Sequence, residues 1–311
     1  MGKAKDFTEE YVRINGIDQY FLHYPSPQKE VVIFLHGGPG SSTALFAYSL
    51  KPHWDFCSFV YYDQRGAGRT LKKNKTKAED LTLDILIEDL KQTISYVKEK
   101  YQTDRVILLG QSWGSVLGTQ YVLKYPNDTI CYIGNGQVLD TSLEMQASYD
   151  KLKEVLENKG AARCIKKLDA LGDYPKVDIE NYTDRLIRFI KLQSKHGHAI
   201  NPYDILRTVL KSPIFKLSDI YYLAKGIKVN TMLGETLMEY NIQETIEYPV
   251  PVYYVLGRDD WQVPSTVGAE YFEKINAPQK RLYWIENAGH LTDIDNPADF
   301  CKAIKGIIME L

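Results

Sequence analysis

The chain has 311 residues, of which 44% are hydrophobic and 25% charged, a composition typical of a globular protein with a sizeable core. Its 38 basic and 40 acidic residues leave a net charge of −2. The chain therefore lacks the excess positive charge that would attract nucleic acid or an anionic membrane, and we expect a small molecule or short peptide as the partner. No stretch approaches the roughly 18 apolar residues of a membrane span, and residues 1–6 lead into polar sequence without an apolar signal region, so we expect a cytoplasmic protein.

The first half of the chain alternates strand-like and helix-like segments. The dipeptide Asn15-Gly16 stands between two strand-like runs and is typical of a tight hairpin turn. Apolar side chains in residues 82–100 recur at the spacing of an amphipathic helix, and 112–125 is predicted as a helix that ends before Pro126. The predicted strands are 11–14, 19–24, 31–35, 56–62, 105–109 and 129–134.

The second half of the chain begins with a change of pattern. Residues 138–246 are helix-like and contain no convincing apolar strand, after which strands 249–256 and 280–285 and a helix over 297–311 follow. Alternating strands and helices favour a mostly parallel sheet with helices on both faces. We therefore predict an α/β protein whose core comprises residues 1–137 and 247–311, with 138–246 inserted as a helical cap.

The four cysteines indicate neither a disulfide framework nor a zinc site. They are widely spaced and form no C-x-x-C pair, so we expect buried, unpaired thiols. The chain also has no G-x-x-x-x-G-K-[S/T] phosphate loop. We expect no metal and no cofactor.

The strongest chemical signal is the pentapeptide G-Q-S-W-G at residues 110–114, between a predicted strand and a predicted helix. A G-x-S-x-G turn in that context is typical of a nucleophile elbow. Its glycines let the chain turn sharply, and the helix that follows favours negative charge developing next to it. Ser112 is therefore the predicted nucleophile of a serine hydrolase.

A serine nucleophile needs a general base, because its hydroxyl is not ionised at neutral pH. His290 follows the last predicted strand, which suits the chain order Ser–Asp–His of enzymes with a nucleophile elbow. The loop before that strand contains two adjacent aspartates, Asp259 and Asp260, and only one of them can face the imidazole. From the residues alone, the choice between them stays open.

An acyl-transfer enzyme also needs two backbone N–H groups that converge on the oxyanion. Trp113 supplies one because it follows the nucleophile. The loop H-G-G-P-G at residues 36–40 supplies the other, which we assign to Gly38. A glycine cluster of this kind also occurs at tight strand exits. His36, at the end of its strand, is predicted to be structural.

Four segments together resemble the prolyl iminopeptidase branch of the α/β-hydrolases. They are H-G-G-P-G at 36–40, D-Q-R-G-A-G-R-T at 63–70, G-Q-S-W-G-S at 110–115, and G-R-D-D-W-Q-V-P at 257–264 with A-G-H at 288–290. The resemblance covers the two core portions but not the cap. It implies an α/β-hydrolase fold and a triad of Ser112, Asp260 and His290, since the acid of this family stands three residues after the loop glycine.

The predicted cap departs from the pattern of that family. Prolyl iminopeptidases resemble one another in a W-x-x-W-E segment, whose glutamate helps to hold the free amino group of the substrate. All four tryptophans of this chain lie outside residues 138–246. Glu235 and Glu239 are the candidates for an ammonium anchor because their spacing puts them on one helix face, although solvated helix charges share that pattern.

The sequence leaves three functions open. The favoured one, implied by the resemblance, is an aminopeptidase that releases an N-terminal residue from small peptides through an acyl-enzyme. A carboxylesterase or amidase without peptidase activity would use the same triad. A non-catalytic protein that binds a ligand under its cap is the alternative from another class, because a fold alone does not guarantee activity.

Overall fold

The computed structural model describes residues 6–27, 30–172, 179–196, 200 and 202–311, and the other parts of the predicted core and cap lie outside it. The described residues include an eight-stranded sheet in the order β1-β2-β4-β3-β5-β6-β7-β8. Its strands agree with the eight predicted ones within a few residues: β1 (Thr8–Ile14), β2 (Ile17–Tyr24), β3 (Val31–Leu35), β4 (Ser58–Tyr62), β5 (Val106–Gln111), β6 (Thr129–Asn135), β7 (Val252–Gly257) and β8 (Lys280–Ile285).

The sheet is parallel except at β2, which runs antiparallel to both β1 and β4. Asn15 and Gly16 make the predicted turn between β1 and β2, with φ angles of 40° and 80°. Strands β3, β5 and β7 are buried along their whole length, which suits the centre of a sheet covered on both faces. The six strands that pair in parallel with one another therefore have their carboxyl ends at one edge: β4, β3, β5, β6, β7 and β8.

Helices cover both faces of the sheet. Among the described residues outside the connection between β6 and β7, the helices are α1 (Ala47–Leu50), α2 (Gly68–Asn74), α3 (Leu83–Tyr101), α4 (Trp113–Lys124), α11 (Ser265–Lys274), α12 (Thr292–Asp295) and α13 (Pro297–Glu310). The apolar sides of α3, α4 and α11 pack on one face, and α1 and α13 pack on the other. The sequence predicted α3, α4 and α13, whereas α1, α2, α11 and α12 were not predicted.

The described residues of the connection from β6 to β7 contain mainly helices, as predicted. We call the stretch 141–238, which contains these helices, the cap segment. It has a small apolar cluster of its own, which includes Leu152, Leu156, Leu168 and Phe189. The division of the chain at residues 138 and 246 stays a prediction. The helices are α5 (Thr141–Asn158), α6 (Ala162–Asp169), α7 (Ile179–Lys195), α8 (Pro202–Lys211), α9 (Leu217–Val229) and α10 (Thr231–Met238).

Two further features bear on the sequence predictions. Cys57, Cys131, Cys164 and Cys301 are all buried and free, as expected for unpaired thiols. Across the ranges that the structure describes, we find no helix with both the length and the apolar character of a membrane span.

Candidate active site

Ser112 stands in the sharp turn between β5 and α4 and is half-buried. Its backbone has φ 52° and ψ −123°, a region that residues with a side chain rarely adopt. The turn requires glycine on both sides of the serine because the neighbouring backbone leaves no room for a Cβ atom. A Cβ atom on Gly110 would lie 2.5 Å from the carbonyl oxygen of Gly114, and one on Gly114 would lie 1.9 Å from that of Leu35. The G-x-S-x-G spacing therefore has a steric cause.

His290 and Asp260 form a buried pair, at 3% and 2% exposure. His290 Nδ1 lies 2.9 Å from Asp260 Oδ2, and since a carboxylate only accepts, Nδ1 carries the proton and donates it. The other oxygen, Oδ1, accepts the backbone N–H groups of Gln262 and Val263 at 2.9 Å each. Asp259 is exposed. The structure thus brings Asp260, and not its neighbour, to the imidazole.

The backbone that follows β6 connects this pair to the nucleophile. The Ser112 N–H donates to the carbonyl of Asn135 at 3.0 Å. The next residue, Gly136, has its Cβ position only 3.2 Å from two ring atoms of His290. A Cβ atom at 136 would crowd the imidazole, and the residue has a φ of 58°, which favours glycine, so the glycine lets the ring lie close to the end of β6.

The environment of His290 changes its basicity in two opposite directions. Burial lowers the pKa of the imidazole, whereas the charge of Asp260 and its hydrogen bond raise it. The balance leaves the pKa above the ordinary value of 6.5. A base that binds its proton more tightly suits proton transfer from a hydroxyl group.

The two predicted oxyanion donors belong to segments that adjoin the nucleophile. Trp113 is the first residue of α4, where a backbone N–H has no partner within the helix. Gly38, at φ 121°, follows Gly37, whose Cβ position is 3.2 Å from the Cβ of Ser112. The loop 36–41, which we call the oxyanion loop, therefore passes directly next to Ser112.

His36 holds the base of the oxyanion loop. Its ring is buried and burial lowers its pKa to about 4, so it is neutral at physiological pH. Nε2 accepts the Gln64 N–H at 2.9 Å, which leaves the proton on Nδ1, 2.9 Å from the carbonyl of Gly37. These contacts agree with the structural role that the sequence predicts for His36.

Gln64 connects the oxyanion loop to the nucleophile turn, a link that the sequence did not reveal. Its side-chain amide donates to the carbonyl of His36 at 2.9 Å, and its oxygen accepts the indole N–H of Trp113 at 3.2 Å. Gln64 belongs to the D-Q-R-G-A-G-R-T segment. That motif was the only sign in the sequence that Gln64 matters. Its role depends on contacts with residues that are distant in the sequence.

Two further buried links were also missed, and they fasten the segment after His290 to the sheet. Gln111 donates to Asp293 at 2.7 Å, and Thr292 donates to Asn135 at 2.8 Å. Gln111 directly precedes the nucleophile. The loop with the imidazole and the strand with the serine are thus joined by side chains as well as by packing.

Glu235 lies on α10, and Glu239 directly follows that helix. Glu235 is half-buried and Glu239 is exposed. Both line a surface groove together with Leu81, Gln120 and Met232, and Ser112, Asp260 and His290 are not among the residues of that groove. Their role as an ammonium anchor stays a prediction. Within the described part of the chain, no group of three or more His, Cys, Asp or Glu side chains is arranged to hold a metal ion.

Comparisons with known proteins agree with this geometry. Residues 26–296 match the family model described as serine aminopeptidase, S33. The chain is 24% identical over 302 residues to a probable aminopeptidase, YbaC, of Bacillus subtilis (96% of this chain and 92% of that protein), and 26% identical over 321 residues to a proline iminopeptidase of Saccharolobus solfataricus (99% and 94%).

The solved structures give the fold. A crystal structure of the proline iminopeptidase of Mycobacterium smegmatis superposes with a TM-score of 0.69 at 16% identity, covering 97% of this chain and 98% of the other. A proline iminopeptidase-related protein of Thermus thermophilus superposes at 0.67, with 21% identity and 98% of each chain covered. The predicted α/β-hydrolase fold is confirmed. The chain is a hydrolase and belongs to the serine aminopeptidase family S33.

Proposed function

We propose that this chain is a serine hydrolase that acts through Ser112, His290 and Asp260. The observation that carries the proposal is the buried His290–Asp260 pair, whose imidazole lies close to Gly136, the residue after the Asn135 carbonyl that accepts the N–H of Ser112. Ser112 itself has strained backbone at the start of a helix. A nucleophile, a base and an acid that orients the base are the three groups that acyl transfer requires.

The reaction then follows from the atoms available. Ser112 Oγ attacks the substrate carbonyl while His290 Nε2 takes the hydroxyl proton, and the N–H groups of Gly38 and Trp113 stabilise the oxyanion. When the bond to the leaving group breaks, His290 returns the proton to that group. Water, activated in turn by His290, releases the acyl group from the serine.

For the substrate, we propose small peptides from which the enzyme releases the N-terminal residue. The support is the family match together with relatives named as aminopeptidases and proline iminopeptidases, which align over more than nine-tenths of their length. The alignments with these relatives extend through the cap segment as well as the core.

A carboxylesterase or amidase activity is the second candidate. One observation favours it: the two carboxylates predicted to bind a free amino group line a groove without the triad residues. The W-x-x-W-E segment is also absent from the sequence. An enzyme that needs no ammonium anchor would accept acyl groups without an α-amino group.

The experiment is a substrate panel: L-prolyl and L-alanyl 2-naphthylamides, their N-acetylated forms, and 4-nitrophenyl acetate and butyrate. We expect cleavage of the free-amine naphthylamides and at least a hundredfold slower cleavage of the acetylated forms. Ser112→Ala should lower turnover by about 10⁶-fold, the scale seen for such triads. Ser95→Ala, an exposed helix serine, is the matched control and should keep full activity.

The outcomes separate the candidates. Hydrolysis of the esters alone, with no dependence on a free amino group, rejects the aminopeptidase and supports the esterase. Turnover that survives in Ser112→Ala rejects the triad itself, whatever the substrate.

A further inference from the structure

Helix α9 of the cap segment touches the oxyanion loop backbone to backbone. A Cβ atom on Gly226 would lie 2.1 Å from the carbonyl oxygen of Gly40, and one on Gly40 would lie 2.5 Å from the carbonyl oxygen of Gly226. Neither position has room for a side chain unless the backbone moves. The distance between α9 and the oxyanion loop is therefore set by two glycines.

Asn230, the residue that follows α9, fixes this contact with hydrogen bonds. It is 3% exposed, and its amide nitrogen donates to the carbonyl of Gly226 at 2.8 Å and to that of Gly66 at 2.9 Å. An asparagine amide has two N–H donors, so both are used. One side chain thereby connects α9 to the glycine-rich loop 63–68, whose Gln64 already holds the oxyanion loop.

The other end of α9 is also fastened to the core. Arg69, on α2, lies 3.0 Å from the carboxylate of Asp219 in the first turn of α9, and both side chains are buried. The helix therefore has an ion pair at its start and Asn230 at its end, with the Gly226–Gly40 contact between them.

We propose that Asn230 is a positioning residue for the oxyanion hole. It holds α9 against Gly40, two residues after the donor Gly38, and so determines how the Gly38 N–H is directed at the oxyanion that forms when Ser112 attacks the carbonyl carbon. The inference rests on the proposed function. It adds that the cap segment takes part in stabilising the transition state.

Loss of the Asn230 side chain should weaken transition-state binding more than substrate binding. The oxyanion forms only in the transition state and the tetrahedral intermediate, so a misdirected N–H weakens their binding more than that of the substrate. A residue that merely stabilises the fold would change the midpoint of unfolding without changing the turnover of the folded enzyme.

The test compares Asn230→Ala with the conservative Asn230→Ser, which keeps one donor. The matched control is Asn241→Ala, because Asn241 is an asparagine shortly after the cap segment and its amide donates to Asp140. For each folded variant, kcat and KM are measured with 4-nitrophenyl acetate and with L-prolyl 2-naphthylamide. The inhibition constant of a trifluoromethyl ketone, which forms an oxyanion on the serine, is measured alongside.

For Asn230→Ala we expect kcat to fall by about 10- to 100-fold with KM within twofold, on the scale of a weakened oxyanion donor. The inhibition constant should rise by the same factor. Asn230→Ser should lie between the alanine variant and the wild type, and it carries the test if the alanine variant does not fold. Asn241→Ala should keep both values within twofold.

Unchanged kcat and inhibition constant in the folded Asn230 variants would overturn the inference, even if their thermal midpoints fall. An equal loss in Asn241→Ala would also overturn it, because the effect would then not be specific to Asn230. Failure of the proposed function is distinguishable, since Ser112→Ala would then keep its turnover.

Discussion

At Asp260 the two carboxylate oxygens have different partners. Oδ1 accepts two backbone N–H groups of its own loop, which fixes the side chain, and Oδ2 is left for His290. This arrangement holds the imidazole in one orientation and keeps its pKa above the ordinary value despite burial. Since only the neutral imidazole can take the Ser112 proton, activity should fall as pH drops through that pKa.

The residue-scale prediction concerns Asp260→Asn. We expect kcat to fall by about 10⁴-fold, the loss seen when the acid of a serine protease triad becomes an amide. The acid limb of kcat/KM should also move to lower pH, because burial would then act on the imidazole without the opposing charge. The measurement is a pH profile of kcat/KM between pH 4.5 and 9.

Asp259→Asn is the matched control for that profile, since Asp259 is adjacent but exposed. It should keep the wild-type rate and the wild-type acid limb. An Asp260→Asn enzyme whose acid limb stays in place would contradict the proposed pairing, as would a larger loss in Asp259→Asn.

At the scale of elements, the short helix α12 is tied to strand β5 through Asp293 and Gln111. Burial raises the pKa of Asp293 to about 6, although the hydrogen bond from Gln111 opposes the shift. The ordinary pKa of an aspartate is 3.8, so between these values the folded state keeps a proton that the unfolded state has lost. The stability that this proton contributes is present below pH 4 and is lost as pH rises through 6.

The element-scale prediction is therefore a pH-dependent stability difference in Asp293→Asn. Relative to the wild type, the free energy of unfolding of the variant should rise between pH 4 and 6 by up to about 3 kcal/mol, at about 1.4 kcal/mol per unit of pKa difference. Above pH 6 the difference should be constant. Urea unfolding at half-unit pH steps measures it, and a difference that falls with rising pH would contradict the buried carboxyl.

Helix α2 shows why some elements escape prediction from sequence. It begins at Gly68 in a glycine-rich segment that is typical of a loop. Asp63 Oδ2, at the end of β4, accepts the backbone N–H of Arg69 at 2.6 Å and so satisfies the start of the helix. The residues of the helix itself do not reveal that Asp63 is the partner. The buried strands were predictable because each is a continuous apolar run that can be recognised from its own residues.

The same distinction applies to the site. Short motifs and chain order predict Ser112, His290 and the two proposed oxyanion donors. The choice of Asp260 over Asp259 depended on the family resemblance. Gln64, Asp293 and Asn230 act through contacts that span 28 to 182 residues along the chain, so no local pattern marks them.

For the whole molecule, the sheet brings the proposed triad together. Strands β5, β6, β7 and β8 are neighbours and parallel, so their carboxyl ends meet at one edge. Ser112 follows β5, Asp260 follows β7 and His290 follows β8, while the backbone after β6 touches the imidazole. The central claim is that this assembly activates Ser112.

The measurement that tests this claim most directly is labelling by a fluorophosphonate, which reacts with activated serines, followed by mass spectrometry of the tryptic peptides. The account predicts stoichiometric labelling confined to the peptide 106–124, which contains Ser112. Labelling should be lost in Ser112→Ala and slowed at least a thousandfold in His290→Ala. A wild-type protein that stays unlabelled, or one labelled equally well without His290, would contradict the account.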